Sequence, residues 1–129
     1  MDAKKLFREL SYLVVGIFVL NFLANKFYWY YAIWYFDVLM HFSGGFWLGL
    51  VFGWFMLKIG KVFVLNFDLI WRVALWVLFI GILWELFEFY FINHVAQNPF
   101  DLIDTLSDLF FDLFGGTCAT IYLWKKQLK

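Results

Sequence analysis

Residues 69–92 read LIWRVALWVLFIGILWELFEFYFI, a stretch whose only charged residues are Arg72, Glu85 and Glu88. A helix needs about 20 mostly apolar residues to cross a hydrocarbon core of about 30 Å, so this stretch is long enough to span a membrane. Three further stretches of the same character lie at Tyr12–Tyr31, Trp34–Leu57 and Leu102–Trp124. The sequence therefore predicts four transmembrane helices.

The composition also indicates a membrane protein. The chain has 129 residues, of which 65% are hydrophobic and 26% aromatic, and its mean hydropathy is +0.79. A soluble domain of this length would be nearer half apolar. Because the connections are short, we expect a single domain over residues 1–129, an all-α multi-pass bundle in the cytoplasmic (inner) membrane of the cell. We expect membrane lipid, and no nucleic acid, as its partner.

The basic residues predict the orientation of the chain. Three basic groups precede the first span, separate the second from the third, and follow the fourth: Lys4, Lys5 and Arg8; Lys58, Lys61 and Arg72; Lys125, Lys126 and Lys129. Basic residues mark cytoplasmic ends, so both termini are predicted to be cytoplasmic. Only Lys26 lies near the opposite face.

Acidic residues converge in the outer half of the predicted membrane region. Three predicted helices contribute to this set, which comprises Asp37, His41, Glu85, Glu88, Asp104, Asp108 and Asp112. Spacings of three or four residues place the members on one face of each helix. An ionised carboxylate in a membrane costs roughly 2.5–3.5 kcal/mol on insertion scales, so it persists only when paired, protonated or bound to a cation. Almost no cationic side chain is nearby, which indicates bound metal or bound protons.

Small residues accompany the acidic faces. Gly45, Gly49 and Gly53 continue the Asp37–His41 stripe at intervals of four. Such patterns let helix backbones approach closely, so we expect the acidic faces to point inward. Two polar residues on the first span, Asn21 and Asn25, either bond helices together or face the acidic set, and the sequence leaves both alternatives open.

Two polar residues beside the set have simpler explanations. Asn98-Pro99 is typical of a helix start, which would place Asp101 at the third helical position as a cap and dipole residue. His94 falls on the face opposite Glu85, and we expect it to be a surface residue.

The residue types in the acidic set favour divalent metal. Carboxylates with one imidazole suit Mg²⁺, Mn²⁺, Ca²⁺ or Zn²⁺, and carboxylates from two or three helices can hold one or two ions. Bound ions would attract phosphate. In an enzyme, metal-activated water or a substrate hydroxyl would be the nucleophile and His41 or Glu88 the proton carrier, acting on a lipid-linked or phosphorylated envelope substrate.

Two other functions use the same residues. Membrane-embedded Asp, Glu and His chains are typical of proton or cation pathways, so a small permease is one alternative, and with four spans it would need to form a homo-oligomer. The other is a protonated hydrogen-bond network that only holds the helices together.

Three motifs resemble the YjdF-like family of inner-membrane proteins over residues 37–120. They are Asp37-x-x-x-His41-x-x-Gly44-Gly45, Trp84-Glu85-x-x-Glu88 and Asp104-Thr105-x-x-Asp108-x-x-x-Asp112-x-x-Gly115-Gly116. The resemblance implies a polytopic membrane protein and no particular reaction, and this chain has fewer spans than that family implies. The opening Asp-x-x-x-His is also similar to VanZ-like membrane proteins, which are linked to glycopeptide resistance and the cell envelope.

Overall fold

The computed structural model describes residues 2–91 and 101–127, and within these ranges every regular element is helical. The helices are α1 (Ala3–Lys26), α2 (Trp29–Ala32), α3 (Phe36–Lys58), α4 (Phe67–Phe89) and α5 (Leu102–Gln127). The predicted all-α class is therefore confirmed for the described residues.

Three helices are long and apolar enough to cross a membrane. They are α1, α3 and the extended form of α4 that reaches Phe91. The fourth long helix, α5, has 26 residues, but Asp104, Asp108 and Asp112 interrupt its apolar sequence. The structure thus supports three candidate spans, while the count of four and the orientation of the termini stay predictions.

The first helix differs at both ends from the predicted span Tyr12–Tyr31. It begins at Ala3 because the Asp2 side chain accepts a hydrogen bond of 3.0 Å from the backbone N–H of Lys4, which caps the helix. It ends before Tyr28, whose φ of 60° lies in the left-handed region and breaks the helical path. Hydropathy placed the start of α1 too late because the first turns of this helix are charged.

The start of α5 also differs in detail from the prediction. Oδ1 of Asp101 accepts hydrogen bonds from the backbone N–H groups of Ile103 at 3.1 Å and Asp104 at 3.2 Å. Asp101 is therefore a capping residue, as predicted, but it precedes the helix and does not occupy its third position. Asn98-Pro99 and His94 lie outside the described residues.

Glycines set the packing of α3 against α5, the most extensive helix contact in the fold. A Cβ atom added at Gly45 would collide with the backbone carbonyl oxygen of Asp112, and one at Gly115 would collide with the carbonyl oxygen of Phe42. Only residues without a Cβ allow this approach. The predicted role of the glycine stripe is confirmed, and it holds the His41 face of α3 against α5.

The two ends of the bundle have different chemistry. The basic end contains the start of α1, the end of α3, the start of α4 and the end of α5, and the acidic end is opposite. The buried apolar core is made by Leu6, Leu10, Leu50, Phe63, Leu69, Val73, Val77, Ala119 and Leu123. Lys126 donates to Glu9 and ties α5 to α1 at the basic end. Many large apolar side chains elsewhere are exposed, Phe18 at 68% among them, as expected of a lipid-facing surface.

Candidate metal centre

His41 lies among three aspartates contributed by two helices. Its Nδ1 is 3.0 Å from Oδ1 of Asp112, and its Nε2 is 3.4 Å from Oδ2 of Asp108 and 3.5 Å from Oδ1 of Asp37. Asp37 is one turn before His41 on α3, whereas Asp108 and Asp112 are one turn apart on α5. The close glycine-mediated contact of α3 with α5 brings these four side chains together.

The contact with Asp112 determines the orientation of the imidazole. An ionised Asp112 can only accept a hydrogen bond, so in that state the Nδ1–H of His41 is the donor. In a neutral imidazole the other nitrogen, Nε2, then carries the lone pair. That lone pair is directed toward the carboxylates of Asp37 and Asp108.

The aspartates differ in their access to the surroundings. The side chains of Asp108 and Asp112 are 5% and 9% exposed, while that of Asp37 is 41% exposed and that of His41 is 11% exposed. The four side chains are therefore accessible at Asp37, toward the acidic end, and enclosed by the protein at Asp112.

Two glutamates of α4 complete the cluster. Trp84 Nε1 donates to Oε1 of Glu88 at 2.9 Å, one turn along the same helix. Oε1 of Glu85 is buried, and no donor within residues 2–91 and 101–127 forms a hydrogen bond to it. A buried carboxylate oxygen without a donor is costly, so it calls for a proton or a cation.

These side chains form two groups with the spacing of metal ligands. One group is Asp37, His41 and Asp108, and the other is Glu85, Glu88 and Asp108. In each group, ligand atoms from the three residues lie within 4.8 Å of one another. Asp108 belongs to both groups, so the two are adjacent.

The predicted site residues fall into three classes. Five of them form the two ligand groups, and a sixth, Asp112, contacts His41 without joining either group. Asp104 is exposed and lies outside both groups. Trp84 was not predicted as a site residue, although its spacing of four from Glu88 is the signal that identifies it.

The two asparagines of α1 have separate positions. Oδ1 of Asn21 accepts a hydrogen bond of 2.7 Å from the hydroxyl of Tyr30, so Asn21 bonds α1 to α2. Asn25 is exposed. Of the two alternatives for Asn21, bonding between helices is the one the structure shows.

The charges of the cluster do not balance. Among the described residues, the cationic heads of Arg72 and Lys126 pair with Asp68 and Glu9 at the basic end. In the part of the chain that the structure describes, no lysine or arginine forms an ion pair with a member of either ligand group. A protonated His41 would offset only one of the three aspartates around it. The remaining negative charge needs protons or a cation.

Comparison with known proteins adds one finding. A family model described as "Predicted membrane protein (DUF2238)" matches residues 2–128, nearly the whole chain. No curated protein and no solved structure matches the chain. The match agrees with the apolar helices and gives no reaction.

Proposed function

The chain belongs to the predicted membrane protein family DUF2238, and within that membrane setting we propose that it binds a divalent cation in its acid–histidine cluster. The observation that carries the proposal is the arrangement of His41. One imidazole nitrogen lies within hydrogen-bonding distance of Asp112, and the other faces Asp37 and Asp108. Metal-ligating histidines have this arrangement, in which a carboxylate binds the second N–H and fixes the tautomer.

The first ion would bind to Nε2 of His41 and to the carboxylates of Asp37 and Asp108. These two aspartates alone supply enough charge to neutralise a divalent cation. Asp112 then serves as the group that orients the imidazole, which differs from its predicted role as a ligand. A second ion would bind to Glu85 and Glu88, with Asp108 as the shared ligand. Carboxylate–histidine clusters in helix bundles use this kind of sharing.

The membrane setting favours a cation over an empty cluster. Each unpaired carboxylate at depth costs several kcal/mol, and like charges within 4.8 Å of one another add repulsion. Serine or asparagine would bond the helices together without that cost. Mixed oxygen and imidazole ligands suit Mg²⁺, Mn²⁺, Ca²⁺ or Zn²⁺.

We infer a substrate class from the location of the site. A bound cation would attract phosphate, and Asp37 opens the cluster toward the membrane boundary. A lipid-linked phosphate of the cell envelope fits both conditions. In the form that holds only the first ion, His41 is bound to the metal through Nε2 and Glu88 is the proton carrier, since its carboxylate accepts a hydrogen bond from Trp84 and does not bind that ion.

A permease is the second candidate because the exposed fraction of the side chains decreases from Asp37 to the buried aspartates of α5. Asp37 is open, His41 is largely enclosed, and Asp108 and Asp112 are buried. A row of titratable groups of this kind is typical of a proton or cation pathway. It predicts ion- or pH-dependent flux in liposomes without chemical turnover, and it requires an oligomer.

The multi-pass topology is part of the proposal. We infer that α5 is a fourth span, because 26 residues extend about 39 Å and its buried aspartates face α3 rather than lipid. Both termini would then lie at the basic end on the cytoplasmic side of the inner membrane.

Metal analysis of the purified protein tests the proposal. Wild type, Asp108→Asn and Asp68→Asn are purified, exposed to each of the four divalent ions in turn, and assayed for tightly bound metal by elemental mass spectrometry. We expect wild type and Asp68→Asn to retain one or two equivalents of one ion, because Asp68 pairs with Arg72 at the other end. Asp108→Asn should retain none. Wild-type protein that retains none of the four ions would refute metal binding.

A further inference from the structure

A small cleft lies at the basic end, between the start of α1 and the end of α3. Its volume is about 210 Å³, and it is lined by Ala3, Lys4, Phe7, Trp54 and Lys58. The cleft is at the opposite end of the bundle from the acid–histidine cluster.

The cleft carries unbalanced positive charge. Among the described residues, neither Lys4 nor Lys58 forms an ion pair, and no acidic residue lines the cleft. The carboxylate of Asp2 caps α1, where it accepts from the backbone N–H of Lys4, and it neither lines the cleft nor forms an ion pair with Lys4 or Lys58. Two ammonium groups are therefore available to an anion.

Aromatic rings form the other wall. The rings of Phe7 and Trp54 are in contact, with centroids 5.4 Å apart, and Nζ of Lys58 lies 5.7 Å from the centroid of the Trp54 ring. The cleft thus combines an apolar wall with two cations. A lipid head group with its attached acyl chains has the matching combination of an anion and apolar groups.

We propose that this cleft binds the phosphate head group of an anionic phospholipid. The cleft lies where apolar helices end, which is the level of the lipid phosphates in a bilayer. Basic pockets between transmembrane helices bind anionic head groups at this level. The proposal is independent of metal binding at the other end of the bundle.

Native mass spectrometry of the full-length protein tests this proposal. The protein is released from micelles that contain equal amounts of phosphatidylglycerol and phosphatidylcholine, and the retained lipids are counted. Wild type should retain one phosphatidylglycerol in preference to phosphatidylcholine. The double variant Lys4→Gln/Lys58→Gln should retain about 30-fold less of it.

A matched control separates the cleft from general surface charge. Lys5→Gln/Lys61→Gln removes two exposed cations from the same end without changing the lining, and it should retain the lipid as wild type does. Lys58→Arg keeps the charge and should retain it too. Three results would each overturn the proposal. They are a wild type that shows no preference for phosphatidylglycerol, equal losses of lipid in the two double variants, and full lipid retention by Lys4→Gln/Lys58→Gln. Unchanged melting temperatures would show that each variant is folded.

Discussion

Nδ1 of His41 on α3 lies 3.0 Å from Oδ1 of Asp112 on α5, and this pair joins the two helices through residues that are 71 positions apart in the chain. The bond fixes the imidazole so that Nε2 faces Asp37 and Asp108. It depends on Gly45 and Gly115, which allow the two backbones to come close enough. The packing of α3 on α5 and the orientation of the His41 imidazole therefore depend on the same helix contact.

Asp112→Asn should weaken divalent metal binding by about 10- to 100-fold without abolishing it. The amide oxygen can still accept from Nδ1–H of His41, but the loss of the charge makes Nε2 a weaker ligand. A calorimetric titration in detergent, with the metal that wild type retains, measures the change in affinity. Complete loss of binding would show that Asp112 is itself a ligand, and an unchanged affinity would remove its orienting role.

Gly45→Ala should destabilise the protein by about 1–3 kcal/mol, since the added methyl group collides with the carbonyl oxygen of Asp112. The adjacent Gly44 is the matched control, because a Cβ atom there meets nothing within 4 Å. Gly44→Ala should be neutral or slightly stabilising, as alanine favours helices. Thermal unfolding of both variants in one detergent checks this. Equal melting temperatures would contradict the described packing of α3 on α5.

Asp101→Ala should cost about 1 kcal/mol or less, because it removes the cap that accepts from Ile103 and Asp104. It should leave metal binding unchanged, since Asp101 belongs to neither ligand group. Unfolding curves and metal titrations of the same preparation measure the two effects. A loss of metal binding in this variant would place Asp101 within the site.

Cysteine labelling tests the orientation of the bundle. In a Cys118→Ser background, Lys61→Cys introduces a thiol between α3 and α4, and Tyr31→Cys introduces one between α1 and α3, where Tyr31 is 89% exposed. An impermeant maleimide should label Tyr31→Cys in intact cells and Lys61→Cys only after the membrane is opened. Labelling of Lys61→Cys in intact cells would contradict the predicted topology, because it would place the connection between α3 and α4 outside.

The general arrangement of helices and acids could be predicted from sequence because it depends on length and local spacing. Apolar stretches of about 20 residues indicate helices that cross a membrane. Spacings of three and four residues correctly placed Asp37 with His41 on one helix face, and Asp108 with Asp112 on another. The convergence of three helices in one half of the bundle followed from their alternating directions.

Other features depend on tertiary geometry that local spacing does not contain. The rotation of α5 about its axis determines which of its aspartates reach the site. It leaves Asp104 outside both ligand groups, places Asp108 in both groups, and brings Asp112 to Nδ1 of His41. The end of α1 depends on the left-handed backbone of Tyr28, a residue type that does not signal such a conformation. The basic cleft depends on how closely two helix ends approach.

Thermal unfolding of wild type and Asp108→Asn, each with and without the preferred divalent ion, tests the central claim most directly. Binding to the folded state alone stabilises it by about 2.7 kcal/mol when the free ion is at 100 times its dissociation constant. The ion should therefore raise the melting temperature of wild type and leave that of Asp108→Asn unchanged. Without the ion, Asp108→Asn should melt at or above the wild-type temperature, because one member of a repelling cluster is gone. Equal destabilisation of Asp108→Asn in both conditions, with no effect of the ion on wild type, would show that the cluster is a structural network.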